Sequence, residues 1–190
     1  MKVYFISGFP GIGKSTFTEM HPEVADSDSS QFPKHDFPRN YLAFIRDLAI
    51  DGKCALISTH KPVRDGLTAM GLAYVLIHPS LECKDEYIQR YKDRGSPDAF
   101  ITLLTNQWEA WVNECRAHTG YRIELKPGQY LSDVVKFEPA TGHFHLTADV
   151  IYAAGVTVSA RDVQTSHSGL EFARIISSDD TKTVIEGNVL

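Results

Sequence analysis

The sequence predicts a three-layer α/β domain over residues 1–137, built on a five-stranded parallel sheet. A β-rich or loosely ordered appendage follows over residues 138–190. Three observations predict this. Short apolar runs recur along the first 137 residues, and most are followed by a helical stripe. Continuously apolar strands that alternate with helices belong to parallel sheets covered by helices. A glycine-rich stretch follows the first run directly and opens a helix, which marks a strand–loop–helix unit. Beyond residue 137 the helical stripes give way to alternation, as in Phe144-His145-Leu146-Thr147, Val156-Thr157-Val158 and Thr183-Val184-Ile185, with Gly142, Gly155, Gly169 and Gly187 marking turns.

The first run is Val3-Tyr4-Phe5-Ile6, and the stretch after it is Gly8-Phe9-Pro10-Gly11-Ile12-Gly13-Lys14-Ser15. It fits G-x-x-x-x-G-K-[ST], the phosphate-binding P-loop. The glycines let the backbone curl round a phosphate chain with its N–H groups inward. Gly8, Gly11, Ile12, Gly13, Lys14, Ser15 and Thr16 are the expected nucleotide-binding residues. Lys14 is expected at the β- and γ-phosphates, and the Ser15 hydroxyl on Mg²⁺. A dinucleotide-binding loop would need a third glycine where Thr16 stands.

His21-Pro22 stops the first helix. Glu23-Val24-Ala25 is the second strand, running into Asp26-Ser27-Asp28-Ser29-Ser30. Strand residues two apart share a face, so Asp26 and Asp28 project together from the end where parallel sheets bind ligands. One carboxylate can hold a Mg²⁺-bound water and the other can take the proton of an attacking hydroxyl. The same residues also suit a capping and turn cluster. A helix from Pro38 to about Ile50 carries the stripe Tyr41, Phe44, Ile45 and Leu48. Arg39 at its start is a candidate for an anionic substrate, or a solvated arginine.

The third strand, Cys54–Ser58, ends in Ser58-Thr59-His60-Lys61 where many P-loop enzymes carry their magnesium aspartate. That role must pass to Asp26 or Asp28, or be dispensed with. His60 is a candidate to orient an acceptor, and Arg64 follows one turn into a helix over 62–70. The fourth strand is Ala73–Pro79. The next helix starts near Leu81, carries Lys84, Arg90, Lys92 and Arg94, and stops at Gly95-Ser96-Pro97. Arg90 and Arg94 are four apart and share a face. The longest helix runs from Asp98 to about Ala117, with Trp108 and Trp111 on its core stripe. Tyr121–Leu125 is the fifth strand, and a short helix from Tyr130 follows the turn Lys126-Pro127-Gly128. The loop 126–129 is expected near the adenine. His143 and His145 alone are a weak metal signal.

A chain of 190 residues suits one domain with a real core and a small appendage. A formal net charge of −5 counts against broad nucleic-acid binding. Cys54, Cys83 and Cys115 show no metal or redox spacing and read as reduced, mostly buried thiols of a cytoplasmic protein. The chain opens straight into a strand, without signal-peptide character, and no apolar run reaches membrane-spanning length.

With Gly8–Ser15 and Asp26-Ser27-Asp28 both placed, residues 1–137 resemble the nucleoside-monophosphate-kinase and shikimate-kinase-like group of P-loop kinases. The layout is similar to small nucleotide kinases encoded by bacteriophages and bacteria. The resemblance implies Mg²⁺-ATP as the phosphoryl donor, Asp26 on the magnesium side and Asp28 as the base candidate. It also implies a mobile lid at the helix after the fourth strand, with Arg90 or Arg94 neutralising the transferring phosphoryl group. The shikimate family's glycine triplet after the third strand is absent here, as is the Asp-Arg-Tyr signature of thymidylate kinases.

The expected function is therefore an ATP-dependent kinase. It would move the γ-phosphoryl group to a hydroxyl or phosphate of a small acceptor, a nucleotide, nucleoside or modified base, held near Asp28, Arg39, His60 and Arg64. Two alternatives stand beside it. One is a nucleotide-binding switch or regulatory ATPase, although a guanine-reading Asn-Lys-x-Asp is absent. The other is a polynucleotide kinase, which the acidic balance disfavours. Oligomeric state and the role of residues 138–190 have no signal in the sequence.

Overall fold

The computed structural model describes residues 3–148, 150–153 and 156–159. Its architecture is α/β, with a mixed, mostly parallel sheet. In chain order the elements are β1 (Phe5–Gly8), α1 (Lys14–Met20), β2 (Ala25–Asp26), α2 (Arg39–Ile50), β3 (Ala55–Ile57), α3 (Lys61–Ala69), β4 (Val75–Pro79), α4 (Lys84–Asp93), α5 (Asp98–Arg116), β5 (Arg122–Leu125), α6 (Leu131–Val134), β6 (Val135–Glu138), β7 (His143–Leu146), β8 (Val150–Ala153) and β9 (Val156–Ser159). The main sheet has the order β2-β3-β1-β4-β5-β8-β9. β2, β3, β1, β4 and β5 pair in parallel. β8 and β9 extend the sheet antiparallel from β5, with Arg122 opposite Tyr152.

The expectation of a purely parallel five-stranded sheet is corrected here. The five strands expected over residues 1–137 do pair in parallel, but two further strands from the segment beyond residue 137 join their edge. They do so because β5 would otherwise present an unpaired row of backbone groups. The packing does not break at residue 137 either. β6 and β7 form a hairpin, and Phe144 pairs with Val3 and packs on Phe17. Phe144, Leu146 and Ile151 share one core with Ile6, Leu56 and Ile77. The alternation at Thr183-Val184-Ile185 and the turns at Gly155, Gly169 and Gly187 lie outside the described residues.

β1, β3 and β4 are buried along their whole length, as continuously apolar central strands must be. β2 is shorter and later than Glu23–Ala25, because the Val24 N–H turns back to the His21 carbonyl. On α2 the stripe residues Tyr41, Ile45 and Leu48 are buried, while Phe44 is partly exposed against Phe32. The helix after β4 begins with a 3-10 turn at Leu81–Cys83. Trp108 is fully buried, and its indole N–H donates to the Leu81 carbonyl at 2.9 Å. Trp111 packs half-buried against the same core. Among the described residues no helix is long and apolar enough to cross a membrane.

Candidate functional site

Gly8–Gly13 links β1 to α1 at the end of the parallel strands. Gly11 and Gly13 hold φ of 83° and 95°, which side chains other than glycine rarely adopt. A Cβ on Gly8 would lie 2.8 Å from Ile12 Cδ1 and 2.9 Å from Lys14 Cδ, so only glycine lets Lys14 fold back across the loop. The Lys14 ammonium donates to the Gly8 carbonyl at 2.7 Å and to the Phe9 carbonyl at 3.2 Å. Enclosure lowers its pKa to about 8, with Asp26 and Asp28 opposing the shift and Arg94 adding to it. The amides of Lys14, Ser15 and Thr16 precede the first backbone bond of α1, from the Phe17 N–H to the Gly13 carbonyl, and helix geometry leaves such amides free for an anion.

Neighbouring elements hold this loop from three sides. Phe9 N–H donates to the Ile77 carbonyl of β4 at 2.8 Å, and the Phe9 ring packs edge-on against Tyr87 and Trp108. Leu131 N–H of α6 donates to the Ile12 carbonyl at 2.8 Å. Arg90 of α4 donates to the Gly11 carbonyl at 3.1 Å and to the Gln129 carbonyl at 3.0 Å, pairs with Glu86 and lies over the rings of Tyr87 and Tyr130. A loop braced in this way is preorganised for a ligand, so little ordering cost falls on binding.

Beside the loop lies a cleft of about 850 Å³. It is lined by Gly8, Gly11, Gly13, Lys14, Ser15 and Thr16, by Asp26 and Asp28, and by His60, Arg90 and Arg94. Three of the sequence candidates do not line it. Ile12 is buried in the core, with its amide turned to the Phe9 carbonyl. Arg39 is 86% exposed and pairs with Asp36. Arg64, only 5% exposed, pairs with Glu114 and donates to the Thr59 carbonyl at 3.0 Å.

The two aspartates differ. Ser15 Oγ donates to Asp26 Oδ2 at 3.2 Å, so the hydroxyl and the carboxylate that would share a magnesium ion stand together. Asp28 caps the turn Ser29–Gln31: its Oδ1 accepts from the Ser30 N–H at 2.8 Å and its Oδ2 from the Ser30 hydroxyl at 2.7 Å. The Ser30 bonds hold its carboxyl below the ordinary carboxylate range, aided by Lys14 and Lys34 against partial burial. The capping reading of the cluster therefore holds for Asp28, while both aspartates still face the cleft. His60 lies edge-on to Phe37. Burial and then Lys34 lower its pKa, so its imidazole is neutral near pH 7.

No family model matches the chain, and no curated protein is significantly similar to it.

Arg90 of α4 and Arg94 at its C-terminal cap also separate. Arg90, 11% exposed, is committed to holding the loop. Arg94 is exposed, lies over Tyr91 and makes no ion pair among the described residues. Sequence reasoning missed Tyr91, Phe100, Tyr130, Ser58 and Thr59 as cleft residues. Tyr91 and Tyr130 each meet a loop glycine: a Cβ on Gly11 would lie 3.0 Å from the Tyr91 oxygen, and one on Gly13 would lie 3.3 Å from Tyr130 Cδ1. Of the loop after β5, only Tyr130 lines the cleft. Its neighbours are tied up, with Gly128 N–H donating to Glu86 at 2.9 Å and Lys126 N–H to the Gln129 side chain. Among the described residues no group of three or more His, Cys, Asp or Glu gathers to hold a metal ion, His143 and His145 included. Magnesium, with one or two protein ligands and the rest from phosphate and water, needs no such group. Cys54, Cys83 and Cys115 are free and buried. Burial pushes the Cys54 thiol up to about 11 and the Cys115 thiol up to about 12, which leaves them inert.

Proposed function

We propose that this chain is an Mg²⁺-dependent ATP phosphotransferase of three-layer P-loop architecture, acting on a small acceptor in the cytoplasm. One observation carries the reading. An enclosed lysine folded over a glycine loop stands beside a serine bonded to an aspartate, Lys14 with Ser15 and Asp26. That set supplies a cation for the β- and γ-phosphates and an oxygen pair for magnesium. Buried, unreactive thiols agree with a reducing compartment.

In this reading the loop amides and Lys14 hold the triphosphate, and Ser15 and Asp26 hold the metal, which when bound neutralises charge on the β- and γ-phosphates. Arg94 swings over the transferring group, since it is the cleft arginine without a structural ion pair. Arg90 keeps Gly11 in place. Asp28 orients the acceptor and takes its proton late, because a loose phosphoryl-transfer transition state needs little base strength. Positioning and charge neutralisation supply most of the acceleration.

The test is transfer from γ-labelled ATP with Mg²⁺ to pooled nucleosides, nucleotides, hydroxy acids and oligonucleotides, with Lys14→Ala as the blank. Label on one pool, absent in the blank, supports the reading. Tight ATP binding with no labelled product from any pool transfers support to a nucleotide-binding switch.

A further inference from the structure

Resting on the phosphotransfer reading, we propose that the acceptor is an uncharged polyhydroxy molecule, such as a nucleoside or a free sugar, phosphorylated on a hydroxyl, and that a phosphorylated acceptor is excluded. The distribution of cations and hydroxyls round the cleft carries this. A second phosphate needs its own positive partners, because dianions brought together without counter-charge repel strongly in a partly dry site. The arginines that would supply them point elsewhere. Arg39 is exposed and paired with Asp36, outside the cleft. Arg64 is buried and paired with Glu114. Lys34 donates to the Ser29 carbonyl at 3.4 Å, lies over Phe37 and does not line the cleft. Arg90 is committed to Glu86 and to two carbonyls. Among the described residues the cleft keeps only Lys14 and Arg94 for a ligand, and the triphosphate needs both.

The wall built by the segments that follow β2 and β3 offers neutral hydrogen-bonding groups instead. Ser58, Thr59 and the neutral His60 line the cleft with the ionised Asp28. A polyol matches such a wall, since each of its hydroxyls both donates and accepts. The wall itself is fixed by Tyr41, whose hydroxyl donates to the Ser27 carbonyl at 2.8 Å and accepts from the Ser58 N–H at 2.9 Å. In the step, an acceptor oxygen bonds to the γ-phosphorus while the bond from that phosphorus to the β,γ-bridging oxygen breaks. ADP leaves with the electron pair, and the hydroxyl proton passes through the Asp28 carboxylate to water.

The experiment compares each nucleoside, and ribose, with the corresponding 5′-monophosphate as acceptor for γ-labelled ATP, and identifies products by ³¹P NMR. The expected product is a phosphomonoester, with kcat/KM for the monophosphate about 100-fold or more below that of the uncharged acceptor. A diphosphate product formed at an equal or greater rate overturns the proposal, as does labelling of an oligonucleotide in preference to any nucleoside. Calorimetric titration of the same compounds into the protein with a non-hydrolysable ATP analogue gives a readout independent of turnover. Tighter binding of the monophosphate than of the nucleoside also overturns the proposal. Asp28→Asn should improve monophosphate binding relative to nucleoside by about tenfold; an unchanged ratio contradicts the charge argument. Failure of the wild-type protein to bind the analogue at all would instead remove the phosphotransfer reading, and this proposal with it.

Discussion

Arg90 in α4 and Arg94 at its C-terminal cap are one helical turn apart, yet Arg90 is tied to the glycine loop and Arg94 is not, and Arg90→Ala should expose the difference. Arg90 makes two hydrogen bonds to main-chain carbonyls, one in the glycine loop and one after β5. It also neutralises Glu86 and fills the space between two tyrosine rings. Bonds from a charged donor are worth about 1.5–3 kcal/mol each when their partners stay buried. Both bonds are only partly buried, so about 1 kcal/mol each is appropriate. Glu86 keeps its bond from the Gly128 N–H, which limits the cost of its lost partner to about 1 kcal/mol. Stacking on the two tyrosines adds about 0.5–1 kcal/mol. Arg90→Ala should therefore destabilise the fold by about 3.5–4 kcal/mol, or about 7–16 °C in Tm for a chain of this size. It should also weaken ATP binding about tenfold, because Gly11 loses its anchor. Arg94→Ala, at an exposed residue without an ion pair, should leave stability within about 0.5 kcal/mol and depress transfer. Urea unfolding and nucleotide titration measure both variants. An Arg90→Ala protein that unfolds within about 0.5 kcal/mol of wild type, with unchanged ATP affinity, would refute the clamp.

Three further outcomes follow from the same geometry. With its pKa lowered to about 8, Lys14 is half deprotonated near that pH, so triphosphate affinity in calorimetric titrations should fall as pH rises from about 7 to about 9, and an affinity that stays flat across that range would contradict it. His78 is fully buried in β4 with its pKa lowered by burial to about 4; the unfolded chain then binds more protons between pH 6.5 and 4, so unfolding free energy should decline as pH falls through that window, and a stability profile flat over that window would contradict it. Gly11→Ala meets both an unfavourable φ and the Tyr91 hydroxyl, and should cost at least tenfold in ATP affinity, whereas Gly71→Ala, which has open space at its Cβ and lies away from the cleft, should leave that affinity unchanged.

What was legible in the sequence was what local chemistry decides. The strand–loop–helix at Gly8–Ser15 depends on glycine, on the apolar run before it and on the helix after it, all within about a dozen residues. The five parallel strands came within one or two residues of their observed ends, because continuous apolar runs bounded by turns admit few other readings. Asp26 and Asp28 were placed by strand periodicity, although the tie between Asp28 and Ser30 is a capping contact that the Asp-Ser-rich run also suited. The rest depended on residues far apart in the chain. Arg64 looked available to a substrate, but Glu114, 50 residues later, claims it. Arg90 looked interchangeable with Arg94 until its partners Gly11 and Gln129, 79 and 39 residues away, came into contact. The antiparallel strands β8 and β9 join the sheet through an edge pairing that no local pattern specifies. Tyr91 and Tyr130 carry no motif, and only the meeting of α4 and the segment after β5 with the glycine loop makes them part of the cleft.

The central claim is that Gly8–Ser15 binds a nucleoside triphosphate through Lys14, with magnesium on Ser15 and Asp26. Calorimetric titration of ATP, with and without Mg²⁺, into wild type, Lys14→Ala and Asp26→Asn tests it most directly. Wild type should bind saturably and more tightly with Mg²⁺, Lys14→Ala should lose binding, and Asp26→Asn should bind without the Mg²⁺ enhancement. Equal affinity in wild type and Lys14→Ala, or no binding to wild type with Mg²⁺ present, would contradict it.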